Sequence, residues 1–315
     1  MTPPGPPRVD PAAIRQTLRA AGLRARHSLS QNFLVDVDVL EDTLAAAAPE
    51  PGGGVLEIGP GLGFLTAALL DAGALVCAVE LDPGLAAFLR DRFGGALAGS
   101  GPGSLRLVEG DALDQPLTRL LPQPYDVVAN LPYHITSPIL HRLLGEPPRP
   151  RRLVLMVQRE VAERIAARPG GLSYLSVFVQ YHAAVRILRR VPPTAFEPVP
   201  AVDSAVIVVE PFAEDDRLAP ADEDALWRLV QAAFRERRKM IHNVLTRQLP
   251  VPPARIAAAL ATAEIDPDRR PQTLAVGEWL RLLEALGPIG SDERGRRSPA
   301  EPRAGSGARA RGALH

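Results

Sequence analysis

Three glycines stand at alternate positions in the segment EIGPGLG (57–63), directly after a short apolar run. Because they lack a side chain, Gly59, Gly61 and Gly63 let the backbone turn tightly and pass close to a bound nucleotide-like ligand. The dinucleotide fingerprint would need one more glycine at position 64, which is Phe64. The turn therefore predicts a nucleotide-like ligand and disfavours NAD.

Two carboxylates follow the next two apolar runs. Glu80 stands 21 residues past Gly59, where a carboxylate can accept hydrogen bonds from two ribose hydroxyls. Asp111 follows the run 104–109 and can accept a hydrogen bond from an adenine amino group. The alternative is that the glycines only turn the chain and the carboxylates only cap helices, but the joint spacing favours a binding site.

The tetrapeptide Asn130, Leu131, Pro132, Tyr133 ends another apolar run. The exocyclic amine of adenine is a poor nucleophile because its lone pair is delocalised into the ring. An amide oxygen of Asn130 and the carbonyl of Leu131 can accept hydrogen bonds from that amine and aim it at an incoming methyl carbon. Pro132 stiffens the turn, and the Tyr133 ring offers a stacking surface worth about 1–3 kcal/mol per base. The alternative is an ordinary Asn-x-Pro turn followed by a core tyrosine.

A second ring follows in the proline-rich segment 192–203. The prolines around Phe196 form a stiff loop that could present this ring to the opposite face of the same base. A buried loop anchor explains Phe196 equally well.

These residues follow segments that predict an α/β domain. Continuous apolar runs are typical of strands buried on both faces of a mostly parallel sheet, and the polar residues then share its carboxyl edge. The last two predicted strands have a short link, which predicts a hairpin and one antiparallel strand. The predicted strands are 55–58, 75–80, 104–109, 125–130, 152–158, 184–191 and 204–210.

Beyond an acidic linker at 213–224, the spacing of apolar residues becomes helical. Within 235–247 the basic residues Arg235, Arg238 and Lys239 would share one face of a helix and contact RNA phosphates. The alternative is a solvated charged face. The predicted divisions are a basic N-terminal arm (1–30), a catalytic domain (31–211), a helical RNA-binding domain (222–286) and a disordered tail (287–315).

The composition narrows the class of protein. With 315 residues, 46% of them hydrophobic, the chain can bury a core, and its single cysteine excludes a disulfide scaffold and a cysteine-rich zinc site. The 36 basic and 36 acidic residues cancel, which does not exclude a nucleic acid partner because the basic residues are clustered. The chain has no apolar export signal or membrane-spanning run, so it predicts a soluble cytoplasmic protein. We expect a monomer.

The whole set of motifs resembles the ribosomal RNA adenine N6,N6-dimethyltransferases, in particular the bacterial small-subunit type. The resemblance covers residues from about 15 to 286. It implies a Rossmann-like S-adenosylmethionine-dependent methyltransferase sheet with a small C-terminal helical domain, no metal, and S-adenosylhomocysteine as product. The motifs are SQNFL (30–34), EIGPGLG (57–63), VELD (79–82), GDA (110–112), NLPYHITSP (130–138), VQREVAERI (157–165), FEPVPAVDSAV (196–206) and AAFRERRKMIHNVL (232–245).

The resemblance also implies roles and partners. It places the QNFL segment over S-adenosylmethionine, with contacts from Asn32 and Leu34, and it agrees with the roles inferred above for Gly59, Gly61, Glu80, Asp111 and Asn130. The implied substrate is a pair of adjacent adenosines in the 3′-terminal hairpin loop of 16S rRNA, in the small subunit or its precursor.

The sequence departs from the family pattern at four places. Ser30 stands where glycine is common, Ala201 where lysine is usual and His134 where asparagine is common, and Thr136-Ser137 reverses the more usual order. Three other functions remain open. They are an Erm-type 23S rRNA methyltransferase, a non-catalytic ribosome-assembly or transcription factor on the same fold, and a small-molecule methyltransferase.

Overall fold

The computed structural model describes residues 11–26, 31–97, 99–213 and 218–289. Residues 1–10 and 27–30 of the predicted basic arm, and residues 290–315 of the predicted tail, therefore lie outside the described residues. None of the described helices is both long enough and apolar enough to cross a membrane.

One seven-stranded sheet organises the described part of the chain, in the order β4-β3-β2-β5-β6-β9-β7. Strands β2 to β6 are parallel to one another, and β9 is antiparallel to both β6 and β7. The prediction of a mostly parallel sheet with one antiparallel strand is confirmed. The strands are β1 (Phe33–Leu34), β2 (Gly54–Ile58), β3 (Leu75–Glu80), β4 (Leu105–Glu109), β5 (Tyr125–Asn130), β6 (Arg152–Gln158), β7 (Ala183–Val191), β8 (Phe196–Glu197) and β9 (Ser204–Pro211).

Helices cover both faces of this sheet. One face packs side chains such as Leu56, Val127 and Leu155 against α6, α7 and α8, and the other packs Val128 and Val154 against α2 and α3. Burial on both faces explains why the strands are continuous apolar runs in the sequence. The helices are α1 (Pro11–Ala20), α2 (Val37–Ala47), α3 (Phe64–Asp71), α4 (Pro83–Arg92), α5 (Gly94–Leu97), α6 (Thr136–Gly145), α7 (Arg159–Ile165), α8 (Tyr174–His182), α9 (Pro220–Phe234), α10 (Ile241–Gln248), α11 (Pro253–Thr262) and α12 (Val276–Leu286).

The four last helices enclose a core of their own, which includes Val230, Leu260 and Trp279 and also takes Val177 from α8. Helix α9 begins at Pro220, so the second half of the segment predicted as a linker is helical. Proline at the first helical position and acidic residues in the first turn both favour a helix start at this point. The predicted boundary between a catalytic domain that ends at 211 and a helical RNA-binding domain that begins at 222 stays a prediction.

The N-terminal segment contains the packed helix α1. Its residues Ile14 and Leu18 are buried against Phe33, Leu62 and Leu85, since residues four apart lie on the same face of a helix. Part of the segment predicted as a basic arm is therefore a helix packed against β1, α4 and the glycine turn.

Candidate active site

A cavity opens at the carboxyl edge of the sheet, where the strand order reverses between β2 and β5. Ligands bind at this position in open α/β sheets because the loops on its two sides diverge. The cavity collects most of the residues predicted from the sequence. Its lining includes Asn32, Leu34, Gly59, Gly61, Glu80, Asp111, Asn130, Leu131, Pro132 and Tyr133.

The glycine turn has the backbone that its sequence predicts. Gly59, Gly61 and Gly63 have φ values of 72°, 58° and 76°, a region that residues with a side chain rarely adopt. A Cβ at Gly63 would lie 2.6 Å from the ring of Phe93, and one at Gly61 would lie 3.2 Å from the ring of Phe33. The turn therefore needs glycine both for its conformation and for close packing.

Glu80 ends β3 and lies opposite the glycine turn. Its Oε2 accepts a hydrogen bond from the Gly61 N–H at 3.1 Å and its Oε1 accepts one from the Asp82 N–H at 2.9 Å. Burial raises the pKa of this carboxyl, and the two backbone donors partly offset that rise. Each oxygen keeps a second lone pair, so the carboxylate can also accept from a pair of ribose hydroxyls.

Asp111 lies at the end of β4, after Gly110. Its Oδ1 accepts a hydrogen bond from the Leu113 N–H at 2.8 Å. This bond fixes the carboxylate against its own turn and leaves Oδ2 for a ligand. The placement suits contact with an adenine amino group.

The Asn130 amide is oriented by a neighbouring backbone group. Its Nδ2 donates to the carbonyl oxygen of Asn32 at 3.3 Å, so its Oδ1 is left to accept a hydrogen bond. The next peptide is held as well, because the Leu131 N–H donates to the Met156 carbonyl at 3.1 Å. Both acceptors predicted for a target amine therefore stand on fixed backbone.

The QNFL segment crosses the mouth of the cavity and is held at both ends. Gln31 donates to the Asp82 carboxylate at 3.1 Å, on the Glu80 side. Strand β1 pairs with β8 on the other side, with Leu34 opposite Phe196. Asn32 and Leu34 line the cavity between these two anchors, and their contacts with S-adenosylmethionine stay a prediction.

Tyr133 is half-buried at the cavity. Its hydroxyl shares a hydrogen bond of 2.8 Å with Ser204 Oγ. Burial raises the pKa of the Tyr133 phenol, and the bond with Ser204 partly offsets that rise. The phenol is therefore neutral at physiological pH, and its ring can stack with a base.

The structure does not support Phe196 as the second stacking ring. The Phe196 side chain is 2% exposed, packs in the core with Val39 and Val206, and is absent from the cavity lining. Pairing of β8 with β1 directs it inward. The alternative of a buried loop anchor describes it correctly.

The prediction that Arg235, Arg238 and Lys239 share one face of a helix is wrong. Helix α9 ends at Phe234, residues 235–238 form a turn, and α10 begins at Ile241. Arg235, Arg238 and Lys239 are all exposed on this turn, which we call the basic turn (235–239). Arg235 donates to Gln248 at 3.1 Å.

Glu57 is a cavity residue for which the sequence motifs predict no role. It is 1% exposed, lines the cavity, and accepts a hydrogen bond from Thr66 Oγ1 at 2.7 Å. Burial, with a smaller contribution from the charge of Glu80, raises its pKa to about 8. The sequence feature that could have indicated Glu57 is its position as a charged residue inside the apolar run 55–58.

The described residues contain no cluster of three or more His, Cys, Asp or Glu side chains suited to a metal. The expectation that no metal takes part stays a prediction. The residues that are present fit S-adenosylmethionine, because a glycine turn, a carboxylate on the neighbouring strand and a second carboxylate on the next strand match its methionine, ribose and adenine parts.

The chain is similar to known ribosomal RNA methyltransferases over most of its length. The chain is 42% identical over 292 residues to the ribosomal RNA small subunit methyltransferase A of Moorella thermoacetica, covering 88% of this chain and 97% of that protein. A dimethyladenosine transferase from Plasmodium falciparum superposes with a TM-score of 0.68 at 26% identity, covering 79% of this chain and 95% of that one.

The 23S rRNA methyltransferase ErmE superposes with a TM-score of 0.64 at 31% identity, covering 81% of this chain and 99% of that one. The family model for ribosomal RNA adenine dimethylases matches residues 22–287. The chain thus belongs to the ribosomal RNA adenine dimethylase family and is an S-adenosylmethionine-dependent methyltransferase.

Proposed function

We propose that this protein transfers methyl groups from S-adenosylmethionine to the N6 amines of two adjacent adenosines in the 3′-terminal hairpin loop of 16S rRNA. The product is N6,N6-dimethyladenosine, and the reaction is part of small-subunit biogenesis. The observation that supports this most is the Asn130 amide, which Asn32 orients beside the cavity with Oδ1 free to accept. A relative that is 42% identical is named a small-subunit methyltransferase.

The donor half of the site consists of groups that bind and orient. The glycine turn lets the backbone approach the ligand, Glu80 accepts from ribose hydroxyls, and Asp111 accepts from the adenine amine. The sulfonium of the bound donor supplies a methyl group that is already activated. The protein's main contribution is therefore alignment, which supplies a large part of the rate of a two-substrate reaction.

The acceptor half holds the target amine. Asn130 Oδ1 and the Leu131 carbonyl accept its two N–H groups, which localises the nitrogen lone pair and points it at the methyl carbon. Tyr133 stacks on the extruded base. A methylated N6 that still carries its extra proton is a strong acid, so water can take that proton and no dedicated base is required.

The basic turn (235–239) supplies phosphate contacts. Arg237, Arg238 and Lys239 are exposed on it, and binding through them should weaken as salt rises because counterions are released. Arg247 and Glu236 pair at 2.8 Å at the base of the turn, which fixes its shape. These contacts give affinity and orientation, while the cavity selects the base.

The test is methylation of a defined set of RNA substrates with isotopically labelled donor. We expect dimethyladenosine in small subunits that lack the modification, at two adjacent positions of the 3′-terminal hairpin loop, and none in 23S rRNA. Label in 23S rRNA alone would favour the Erm-type function. No label in any RNA, with donor binding intact, would favour a non-catalytic factor. Naked 16S rRNA and assembled subunits, compared in the same assay, would identify the form of the substrate.

A further inference from the structure

The hydrogen bond between Tyr133 and Ser204 connects two segments that are 71 residues apart in the sequence. Tyr133 belongs to the turn after β5, and Ser204 is the first residue of β9. The oxygen atoms are 2.8 Å apart. Ser204 is fully buried, so its hydroxyl is not available to bulk water.

Ser204 is held by strands on both sides. It lies opposite Gln158 of β6 and opposite Val191 of β7. The preceding residue, Asp203, accepts a hydrogen bond from the Arg159 N–H at 2.9 Å and forms an ion pair with the Arg159 guanidinium. A hydroxyl on such a backbone has little freedom to move.

Tyr133 lacks comparable support. It begins a single 3-10 turn, Tyr133–Ile135, and it is only half-buried. Two side-chain torsions set the direction of its ring. The bond to Ser204 holds the far end of that ring and thereby limits both torsions.

We propose that Ser204 is a positioning residue for methyl transfer: its hydroxyl holds the Tyr133 ring in the orientation on which the extruded adenine stacks. The inference rests on the proposed function, since it requires a base in the cavity. Loss of either hydroxyl frees the ring, so the target amine reaches its aligned position beside Asn130 less often. Binding of the methyl donor does not use this bond and should not change.

A double-mutant cycle tests this proposal with Tyr133→Phe, Ser204→Ala and the double variant. The matched control is Tyr125→Phe, which removes a buried tyrosine hydroxyl that donates to the Pro148 carbonyl at 3.1 Å at the opposite end of β5. The substrate is small subunits that lack the modification. Single-turnover rates are measured at saturating donor and subunit, together with donor affinity by calorimetry and the denaturant midpoint of each variant.

We expect each single variant to lower the single-turnover rate about 5- to 30-fold, the size expected for one hydrogen bond. The double variant should be no slower than the slower single variant, because both changes remove the same bond. Donor affinity should stay within twofold of the wild type, and Tyr125→Phe should keep the wild-type rate.

Three results would overturn the inference. The first is an unchanged rate in both single variants, and the second is a rate loss in the double variant that equals the product of the two single losses. The third is a rate loss in proportion to the loss of stability, in which case Tyr125→Phe would also lower the rate. If the wild-type protein methylates small subunits and one of these results is obtained, only the role of Ser204 fails. If the wild-type protein methylates no adenosine in small subunits, the proposed function is wrong, and the proposed role of Ser204, which depends on it, is wrong as well.

Discussion

The cavity and the basic turn (235–239) both hold residues that the sequence predicts to be functional, but the structure holds them very differently. At the cavity, Glu80 accepts two backbone hydrogen bonds and Asn130 donates to the Asn32 carbonyl. On the basic turn, Arg238 and Lys239 are exposed to solvent. Transfer between two reactants depends on alignment within fractions of an ångström, whereas attraction to phosphates requires only charge at the right distance.

The largest effect should come from Asn130→Ala. The variant loses the acceptor that aims the target amine, and we expect at least about a 100-fold lower rate of methyl transfer, since a misplacement of 1 Å alone can cost that much. Donor affinity should remain measurable. Labelled methyl transfer to unmodified small subunits and calorimetry of donor binding check the two statements. A near-wild-type rate would mean that the cavity does not align its reactants through this amide.

The cavity should also respond to pH through Glu57, whose pKa is raised to about 8. Below that pH, Glu57 is protonated in the free protein. The positively charged donor must then either displace this proton when it binds or bind without the attraction of a charged carboxylate. Donor affinity should therefore rise with pH, by up to about tenfold per unit, and level off above about pH 8.

Calorimetry between pH 6 and 9 measures this dependence. Glu57→Gln should remove it, and S-adenosylhomocysteine, which lacks the sulfonium charge, should show a weaker dependence in the wild-type protein. If the donor affinity of the wild-type protein does not change with pH, the charge of Glu57 does not contribute to donor binding.

A smaller effect, on stability, is expected from Gly63→Ala. The Cβ would meet Phe93 at 2.6 Å in a backbone region with φ of 76°, and we expect a loss of about 1–3 kcal/mol in the free energy of unfolding. The control Gly277→Ala lies in α12 with nothing within 4 Å of its Cβ and should gain up to about 1 kcal/mol. Urea unfolding of both variants checks the difference. Equal stability would show that the turn tolerates a side chain.

The smallest effect on the chemical step should come from the basic turn. In Arg237→Glu and Arg238→Glu we expect weaker RNA binding, and the slope of log affinity against log salt should fall by about 1 for each lost phosphate contact. The rate at saturating RNA should not change. The control Arg90→Ala lies beside the opposite edge of the sheet and pairs with Glu109 at 2.6 Å. If it weakens binding equally, the basic turn is not the RNA contact.

The same contrast explains what could be predicted from the sequence. Strands β3, β5 and β6 match their predicted limits because both faces are buried, so each strand is a continuous apolar run bounded by polar residues. Their carboxyl ends then place Glu80 and Asn130 at one edge of the sheet. The α/β sheet was predicted correctly on that basis, and the family was predicted correctly from the resemblance of the motifs.

The predictions failed where contacts between distant segments decide the structure. Phe196 turns inward because β8 pairs with β1, about 160 residues earlier in the chain, and periodicity within the loop does not show such pairing. Helix α9 ends at Phe234 because the chain turns and Ile241 donates to the Arg269 carbonyl at 2.7 Å. Helical spacing of charges continues past that point and therefore predicts too long a helix.

The most direct test of the central claim is a crystal structure with a non-reactive analogue of the methyl donor and an adenosine-containing RNA hairpin. We predict that the N6 amine of one adenosine lies within about 3.2 Å of both Asn130 Oδ1 and the Leu131 carbonyl, with its base against Tyr133. A target adenine bound elsewhere, with Asn130 contacting neither the amine nor the donor, would contradict the account.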